Sequence, residues 1–465
     1  MGEDEHLGEK SNTVCPNMKH VAIIGGGVAG LAAGCALADA GERVTLIERK
    51  PFLGGRASSY EHPGTGEVVD NCQHVLLGCC TSLIDLYRRI GAEGDVTWFD
   101  TLNFMTPGGK CSEIRPSALP APSHSAPSFL RAHFLSLRDK VGISRALAAM
   151  AREPLPDNGS TFLEWLRAHG QTENALRRFW EPVLVSALNE DLDRCSLRYA
   201  SLVFRDSFLK SPQAGHMGVP CVPLSELYGK AQSYIERRGG AVRLRSSVDS
   251  VDLTNAGVQL ELSNGEQVSA DAVIVATPWL AAAKLVPSLA SGLQGMQSSP
   301  ITGIHLWFDR RITDLPHAVL LDRTIQWMFH KSVLQRDRPE LGSYVEVVVS
   351  ASRKLVSESR RQIIDLAVAE LSEYFPVVRQ SRVEKAVVVK EFHATFSVLP
   401  GSDQLRPKQM TADGRVFLAG DWTDTGWPAT MEGAARSGYS AASVIAKHDF
   451  SVADLAPTGF MRMFA

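Results

Sequence analysis

A cluster of three glycines between an apolar strand and an apolar helix constrains the fold of this chain more than any other feature. The apolar run His20 to Ile24 predicts a buried strand, and small residues at helical spacing follow the turn Gly25-Gly26-Gly27-Val28-Ala29-Gly30. A second apolar run, Val44 to Ile47, predicts the next strand. The spacing therefore predicts a strand, a glycine turn, a helix and a second parallel strand, as in α/β nucleotide-binding domains.

The glycines of this turn suit the binding of a dinucleotide pyrophosphate. Gly25 permits a tight turn, Gly27 lets backbone N–H groups approach a phosphate, and Gly30 allows the helix to pack closely on the strand. Val28 and Ala29 lie where the helix follows the glycine turn. The positive end of the helix dipole therefore faces the phosphates.

The residues after the second strand distinguish between nucleotides. Glu48 ends that strand, where its carboxylate can accept the adenosine ribose hydroxyls, which disfavours the 2′-phosphate of NADP. Arg49, the pair Gly54-Gly55 and the cation Arg56 then follow. A diphosphate with a ribityl chain needs additional backbone donors and a counter-charge, so this loop favours FAD over NAD.

A third cofactor motif lies near the other end of the chain, in VFLAGDW (416–422) and WPATMEGA (427–434). A strand that ends in Gly420-Asp421 places a carboxylate near the ribityl hydroxyls. The helix that begins near Thr430 and Met431 directs free N–H groups toward the flavin. Val248, at the start of a later strand, completes the predicted cofactor-binding set. No cysteine occurs in this motif, so FAD is expected to be bound non-covalently.

The order of predicted elements indicates two interleaved domains of an α/β protein. Strands are predicted at 241–244, 248–253, 258–262, 270–276, 301–308, 344–350 and 383–392, and a helix at 358–374. Residues 19–90, 215–285 and 405–450 are assigned to a Rossmann-like FAD-binding domain of the GR2 type, with a parallel sheet and a β-meander. Residues 91–214 and 286–404 are assigned to a mixed α+β substrate domain with a helical part. Residues 1–18 are predicted to be a disordered tail, and residues 451–465 a C-terminal tail.

Composition excludes several classes of partner and site. With 48 Lys and Arg against 51 Asp and Glu, the chain lacks the positive charge that nucleic-acid binding needs. Its eight cysteines include no CxxC pair, so neither a disulfide framework nor a metal site is expected, and the protein is predicted to be cytoplasmic.

The segment after residue 114 suggests contact with a lipid surface. The Pro- and Ser-rich stretch 115–128 predicts a loop, and the residues beyond it fit one helix. Its apolar face would carry Leu130, Phe134, Leu137 and Val141, with Arg131, Arg138 and Lys140 elsewhere. Such a helix either packs on its own domain or lies on the inner face of a membrane, where an apolar substrate is taken up.

The segments GGGVAGLAAG, ERKPFLGGR and AGDWTDTGWPATMEGAARSGYSAA resemble the FAD-dependent amine oxidase and phytoene desaturase superfamily over nearly the whole chain. Within it, VVDNCQHVLLGC (68–79), FHATFSVLPG (392–401) and GDWTDTGWPATMEGA resemble the hydroxysqualene dehydroxylases, the squalene-associated FAD-dependent desaturases of hopanoid synthesis. The resemblance implies reduction of hydroxysqualene, an isoprenoid, to squalene. Cys72 and His393 depart from the family pattern, which affects the substrate assignment more than the cofactor.

The predicted chemistry requires an acid or a hydrogen-bond donor for the departing hydroxyl. The resemblance places residues 70–74 near the flavin, so Asp70, Gln73 and His74 are predicted to fill this role. The alternative is that Asp70 bonds backbone or ribityl groups and that His74 is a satisfied, partly buried histidine. Trp422 and Trp427 are predicted to wall the flavin or an apolar tunnel, the alternative being ordinary core packing.

Three functions remain open from the sequence. The first is the reduction of hydroxysqualene. The second is a phytoene-type desaturase, or an amine or protoporphyrinogen oxidase, that runs the flavin in the opposite direction on the same fold. The third is a non-catalytic flavin-binding scaffold at the membrane. Only one Gly-rich dinucleotide motif is visible, so the electron donor is not identified and any nicotinamide binds transiently or acts through a partner.

Overall fold

A computed structural model describes residues 18–153, 155–289, 291–336 and 342–464. Residues 1–17 of the predicted N-terminal tail lie outside the described residues. The strands are β1 (His20–Ile24), β2 (Arg43–Ile47), β3 (Ser59–Glu61), β4 (Val68–Asp70), β5 (Leu76–Leu77), β6 (Val96–Phe99), β7 (Leu102–Thr106), β8 (Lys110–Ile114), β9 (Met217–Pro220), β10 (Ala241–Arg243), β11 (Val248–Thr254), β12 (Gly257–Leu262), β13 (Gln267–Ala270), β14 (Ala272–Val275), β15 (Ser298–Phe308), β16 (His317–Leu320), β17 (Trp327–His330), β18 (Ser343–Ser350), β19 (Val383–Phe396) and β20 (Val416–Leu418).

The α-helices are interspersed with these strands. They are α1 (Val28–Asp39), α2 (Thr81–Ile90), α3 (Ala126–Arg131), α4 (Leu137–Arg152), α5 (Phe162–Ala168), α6 (Glu173–Ala175), α7 (Glu181–Leu188), α8 (Leu197–Leu202), α9 (Leu224–Glu236), α10 (Trp279–Leu285), α11 (Lys331–Leu334), α12 (Arg360–Tyr374) and α13 (Met431–Ala446). Helices α3 to α8 lie together in residues 126–202. Among the described residues, no helix is long and apolar enough to cross a membrane.

A parallel five-stranded sheet brings the distant cofactor motifs together. Its strand order is β10-β2-β1-β14-β20, and every neighbouring pair is parallel. The predicted unit of strand, glycine turn, helix and strand is confirmed as β1, α1 and β2. Helix α1 is buried along almost its whole length, because α13 and α9 pack against it. Its small side chains permit that close approach.

The predicted β-meander is confirmed between β10 and β14. Strands β11, β12 and β13 form a three-stranded antiparallel sheet that joins two strands of the parallel sheet. The single strand predicted over 270–276 is wrong, because β13 and β14 divide at Asp271. The Asp271 N–H donates to the carbonyl of His20, so the chain leaves the meander there and enters the parallel sheet.

A mixed seven-stranded sheet forms the second layer of structure, in the order β19-β15-β18-β17-β16-β7-β8. Only its pair of β16 and β7 is parallel among the described strands. The predicted strands at 301–308, 344–350 and 383–392 are its three longest members. Apolar residues of α12 pack on this sheet, including the buried Ile363, Ala367 and Leu371.

The predicted loop and helix after residue 114 are partly wrong. Helix α3 begins at Ala126, inside the stretch expected to be a loop, because Pro127 lies in its first turn, where no N–H is required. The single amphipathic helix expected over 130–141 is instead broken between α3 and α4. Ser136 and Asp139 form a capping box that starts α4, and Phe134 turns into the core.

Candidate active site

The two glycine motifs of the cofactor site lie against each other. The Gly54 N–H donates to the carbonyl of Gly26 at 2.8 Å, and Gly27 and Gly54 pair as a parallel bridge. A Cβ on Gly55 would lie 2.9 Å from the Cα of Gly27, so the second loop cannot carry a side chain at this contact. The N-cap of α1 is Gly27, which has no side chain to bond the first N–H groups of the helix. The two loops therefore form one backbone cradle that suits a pyrophosphate.

Glu48 is held rigidly beside this cradle. Its carboxylate accepts the N–H of Gly26 at 2.7 Å and the N–H of Lys50 at 2.8 Å, which leaves further lone pairs for ribose hydroxyls. The Lys50 Nζ donates to the carbonyl of Gly55 at 3.0 Å and so joins Glu48 to the second glycine loop. By contrast, Arg49 is exposed.

The segment that leads to Val248 also approaches this part of the site. The Ser246 N–H donates to the carbonyl of Glu48 at 3.0 Å, which holds the turn before β11 against the end of β2. Val248 is half-buried and begins β11 two residues later. The start of β11 therefore follows a turn held at Glu48, and contact of Val248 with the cofactor stays a prediction.

Arg56 and Asp421 form an ion pair between the second and third cofactor motifs. The Arg56 Nη2 lies 2.6 Å from Oδ1 of Asp421, and its Nη1 donates to the carbonyl of Ala394 on β19 at 2.7 Å. Burial opposes the charge of Arg56, but the Asp421 carboxylate raises the pKa of the guanidinium above its ordinary value. Sequence reasoning had assigned these two side chains to different parts of FAD, whereas the structure joins them.

The third motif reaches the same edge of the parallel sheet as the first. Gly420-Asp421 follows β20 and Gly25 follows β1, so both turns lie at carboxyl ends of strands in that sheet, where ligands of α/β folds bind. The Gly420 N–H donates to Ser437 of α13 at 2.7 Å. Thr430 is the N-cap of α13, and its hydroxyl accepts the N–H of Gly433 at 3.1 Å. The three cofactor motifs therefore converge.

Residues at the start of α13 also anchor neighbouring helices. The Tyr228 hydroxyl of α9 donates to the sulfur of Met431 at 3.3 Å. The carboxylate of Glu432, which is fully buried, accepts the N–H groups of Ser82 and Leu83 at the start of α2. These contacts fix the first turn of α13, whose remaining N–H groups suit the flavin ring.

The two predicted aromatic wall residues differ in their surroundings. Trp422 is buried, and its Nε1 donates to the carbonyl of Thr277 at 2.9 Å, just after β14. Trp427 is half-buried and lies 4.5 Å from the guanidinium of Arg436. The role of either ring in lining a tunnel stays a prediction.

A buried charge cluster, formed by Asp70, Gln73, Lys331 and Glu346, lies next to the cofactor motifs. The Lys331 Nζ is 2.6 Å from Oδ2 of Asp70, 2.7 Å from Oε1 of Gln73 and 3.5 Å from Oε2 of Glu346. The exposed fractions of Lys331 and Glu346 are 1% and 0%. Asn71 connects the cluster to the cofactor site, because its side-chain amide donates to the carbonyl of Arg56 at 3.2 Å.

The two carboxyl groups of this cluster differ in protonation. Burial alone would raise the pKa of Asp70, but Lys331 and a hydrogen bond from Ser59 hold it below its ordinary value. Burial raises the pKa of Glu346 to about 7, with the charge of Asp70 adding to the effect and Lys331 opposing it. The backbone N–H of Gln73 also favours the ionised form of Glu346 but does not outweigh burial, and the Nδ1 of His305 lies 4.0 Å from its Oε2. One cation thus balances one carboxylate, and the second carboxyl group takes up or loses its proton close to neutral pH.

His74 lies near the cluster but makes a different contact. Its Nδ1 is 2.7 Å from the carbonyl of Cys72, and burial lowers its pKa, so the imidazole is neutral near pH 7. Of the three residues predicted to be donors, the structure joins Asp70 and Gln73 to Lys331 and leaves His74 apart.

Sequence reasoning missed Lys331 and Glu346. Glu346 is the single charge in the apolar run YVEVVVS, a pattern that could have indicated a buried functional carboxylate. Lys331 directly follows the apolar strand β17 and offered no comparable signal. Within the described ranges, this cluster included, no group of His, Cys, Asp and Glu residues is arranged to hold a metal ion.

Comparisons with known proteins agree with this architecture. A family model for flavin containing amine oxidoreductases matches residues 28–446. The chain is 27% identical to the probable zeta-carotene desaturase of Synechococcus elongatus, over 91% of this chain and 98% of that protein. It is 26% identical to the 15-cis-phytoene desaturase of the same organism, over 92% of this chain and 96% of that protein.

A solved structure shows the same fold. An oxidoreductase from Methanosarcina mazei superposes with a TM-score of 0.71 at 18% identity, covering 90% of this chain and 98% of that one. The predicted α/β fold, with a parallel sheet and a mixed sheet, is confirmed, and so is FAD as the cofactor. The chain belongs to the flavin containing amine oxidoreductase family, and it is an oxidoreductase that uses FAD.

Proposed function

We propose that this oxidoreductase removes the hydroxyl group of hydroxysqualene reductively and yields squalene, as a step of squalene and hopanoid biosynthesis. The resemblance of residues 68–79 and 392–401 to the hydroxysqualene dehydroxylases supports this substrate. The relatives named as desaturases of zeta-carotene and 15-cis-phytoene support the broader class, because both of those substrates are long apolar isoprenoids.

The proposed reaction has a simple balance of atoms and electrons. Reduced FAD, when bound, supplies a hydride, which carries two electrons to the allylic carbon. The carbon–oxygen bond breaks, and the oxygen leaves as water after it takes up one proton. Squalene, water and oxidised FAD result, so the protein must supply a proton and exclude competing reactions.

The single observation that carries the proposal is the carboxyl group of Glu346. A pKa of about 7 leaves about half of this buried acid protonated at neutral pH, so it is able to donate a proton to a departing hydroxyl. Lys331 and the ionised Asp70 form an ion pair at 2.6 Å, so their charges balance each other. In this proposal Glu346 provides the proton, because burial raises its pKa, with Asp70 adding to the effect and Lys331 opposing it.

A desaturase is the second candidate, and the named relatives favour it. In that reaction the substrate gives a hydride to oxidised FAD and a proton to a base. Ionised Glu346 would serve as that base. An amine or protoporphyrinogen oxidase would run the flavin in the same direction. A non-catalytic scaffold would be expected to have lost its cofactor motif, whereas the glycine cradle is intact.

The direction of electron flow distinguishes the candidates. Purified holoenzyme would be reduced anaerobically, mixed with hydroxysqualene, and followed by flavin absorbance and by product extraction. We expect flavin reoxidation together with formation of squalene. If phytoene or an amine instead reduces the oxidised flavin, the desaturase or oxidase function is correct. If no substrate changes the flavin in either state, the scaffold function is correct.

A further inference from the structure

One surface of the protein combines exposed apolar side chains with unpaired arginines. Leu137 and Met463 are 75% and 71% exposed, the highest values for large hydrophobic residues in the described part of the chain. Leu130 of α3 is 59% exposed. We define the basic apolar face as the outward-facing residues of α3 and α4, namely Leu130, Arg131, Leu137, Arg138, Val141 and Arg145.

Helix α4 is apolar on two opposite sides. Its buried side carries Ile143, Ala146 and Met150, which pack in the core. Leu137 and Val141, one turn apart, are exposed on the other side. Because the buried side already anchors the helix, the exposed apolar residues are not needed for folding.

Positive charge surrounds these apolar residues. Residues 126–152 contain five basic side chains and one acidic side chain, Asp139, in a chain whose overall net charge is −3. Asp139 is buried in the capping box of α4 and accepts a hydrogen bond from Asn174 at 2.7 Å. Arg131, Arg138 and Arg145 make no ion pair with any residue in the described ranges. The local electrostatic potential of this surface is therefore positive.

Helix α12 shows how an ordinary solvated helix in the same protein differs. Its exposed Arg361 bonds the carboxylate of Asp365 one turn later at 2.8 Å, and the helix carries two arginines against three acidic residues. Opposite charges thus cancel locally on α12 and do not on α4.

The C-terminal turn packs against the far end of α4 and adds two exposed apolar side chains there. The Phe460 N–H donates to the carbonyl of Ala121 at 2.8 Å, and Met461 is buried beside α4. Arg205 donates to the carbonyl of Ala151 at 3.1 Å and to that of Phe464 at 2.6 Å, which fixes the turn against the end of α4. Phe460 and Met463 consequently point outward next to the helix.

We propose that the basic apolar face docks on the surface of an anionic lipid bilayer. Arginines would lie at the phosphate level, and the exposed leucines would enter the boundary between headgroups and acyl chains. Separate protruding apolar side chains set among cations match a lipid surface, whereas a protein partner usually requires a continuous apolar patch. Binding to lipid is measured without turnover, so the test of this proposal does not depend on the proposed reaction.

Sedimentation with sucrose-loaded vesicles tests the proposal on the full-length holoenzyme. We expect binding to phosphatidylcholine vesicles that contain phosphatidylglycerol, weak binding to phosphatidylcholine alone, and release by salt. The double variant Arg138→Glu/Arg145→Glu should lower the partition coefficient at least about tenfold, since each basic residue near the surface contributes about fivefold. The double variant Leu137→Glu/Val141→Glu should abolish binding.

Two control variants keep the test specific. Leu253→Glu alters an exposed leucine on β11, and Arg361→Glu alters an exposed arginine on α12, so both should bind vesicles like the unchanged protein. FAD content and the unfolding temperature confirm that each variant is folded. Equal binding to both kinds of vesicle, no binding to either, or unchanged binding of the two double variants would each overturn the proposal.

Discussion

The guanidinium of Arg56 lies 2.6 Å from the carboxylate of Asp421, and this ion pair joins two cofactor motifs whose residues are 365 positions apart in sequence. One partner ends the second glycine loop, and the other follows β20 at the carboxyl edge of the parallel sheet. The two motifs that are predicted to bind FAD therefore also bind each other. A change in either partner should affect both stability and cofactor binding.

Replacement of Asp421 by Asn should lower the free energy of unfolding of the apoprotein by about 1–2 kcal/mol, because the charge-assisted hydrogen bond to Arg56 is weakened. Arg56→Met should cost a similar amount, and the double variant should cost less than the sum. Denaturant unfolding of the four proteins provides this double-mutant cycle. Strict additivity would show that the ion pair contributes nothing.

Glu48→Ala should weaken FAD binding about tenfold or more. The variant leaves the N–H groups of Gly26 and Lys50 without their acceptor and removes the partner expected for the adenosine ribose. Titration of apoprotein with FAD gives the affinity, and Glu42→Ala, at the other end of β2, is the matched control. A Glu48→Ala protein that stays fully yellow after desalting would contradict the assignment.

Gly30→Ala should destabilise the protein by about 1–3 kcal/mol, because its Cβ would overlap the carbonyl oxygen of Gly25. Gly229→Ala provides the control, since it is also helical and a Cβ there meets open space. That control should stabilise the protein by about 0.5–1 kcal/mol. Thermal unfolding distinguishes the two variants, and equal effects would contradict the close packing of α1 on the glycine turn.

Protonation of Glu346 should be visible in both stability and rate. Its pKa is raised from 4.5 to about 7 in the folded protein, so its stabilising contribution is complete at low pH and is lost as the pH rises toward about 7. The unchanged protein should therefore lose stability relative to Glu346→Gln over that range. The rate of flavin reoxidation by hydroxysqualene should fall above about pH 7, where the acid ionises.

The rate in Glu346→Gln should be low and should lack this dependence on pH. Glu373→Gln serves as the control, because Glu373 lies on the surface beside Arg323 and should leave the pH profile unchanged. A pH profile that is identical in the unchanged protein and in Glu346→Gln would remove Glu346 from the reaction.

The parts of the fold that depend on local spacing could be predicted from the sequence. The glycine turn, β1, α1 and β2 follow from a contiguous pattern, and the capping box of Thr161 and Glu164 starts α5 as its spacing indicates. The break between α3 and α4 was missed, because apolar periodicity continues through it and conceals the capping box at Ser136. The domain boundaries proposed from the sequence remain a prediction.

The site was only partly predictable, because its chemistry depends on contacts between distant segments. Lys331, which follows β17 of the seven-stranded sheet, meets Asp70 at the end of β4 across 261 positions of sequence. Nothing in the local sequence of Asp70 indicates a buried cation partner. Its ionised state, and hence the protonated state of Glu346, follows from that packing alone.

A single turnover in D2O tests the central claim, reductive removal of a hydroxyl by a flavin hydride, most directly. Holoenzyme would be reduced anaerobically in D2O, so that the hydride position of the flavin carries deuterium, and hydroxysqualene would be added in excess. We predict one squalene per flavin reoxidised, with one deuterium at the carbon that carried the hydroxyl. A flavin that stays reduced, or squalene without deuterium, would contradict the account.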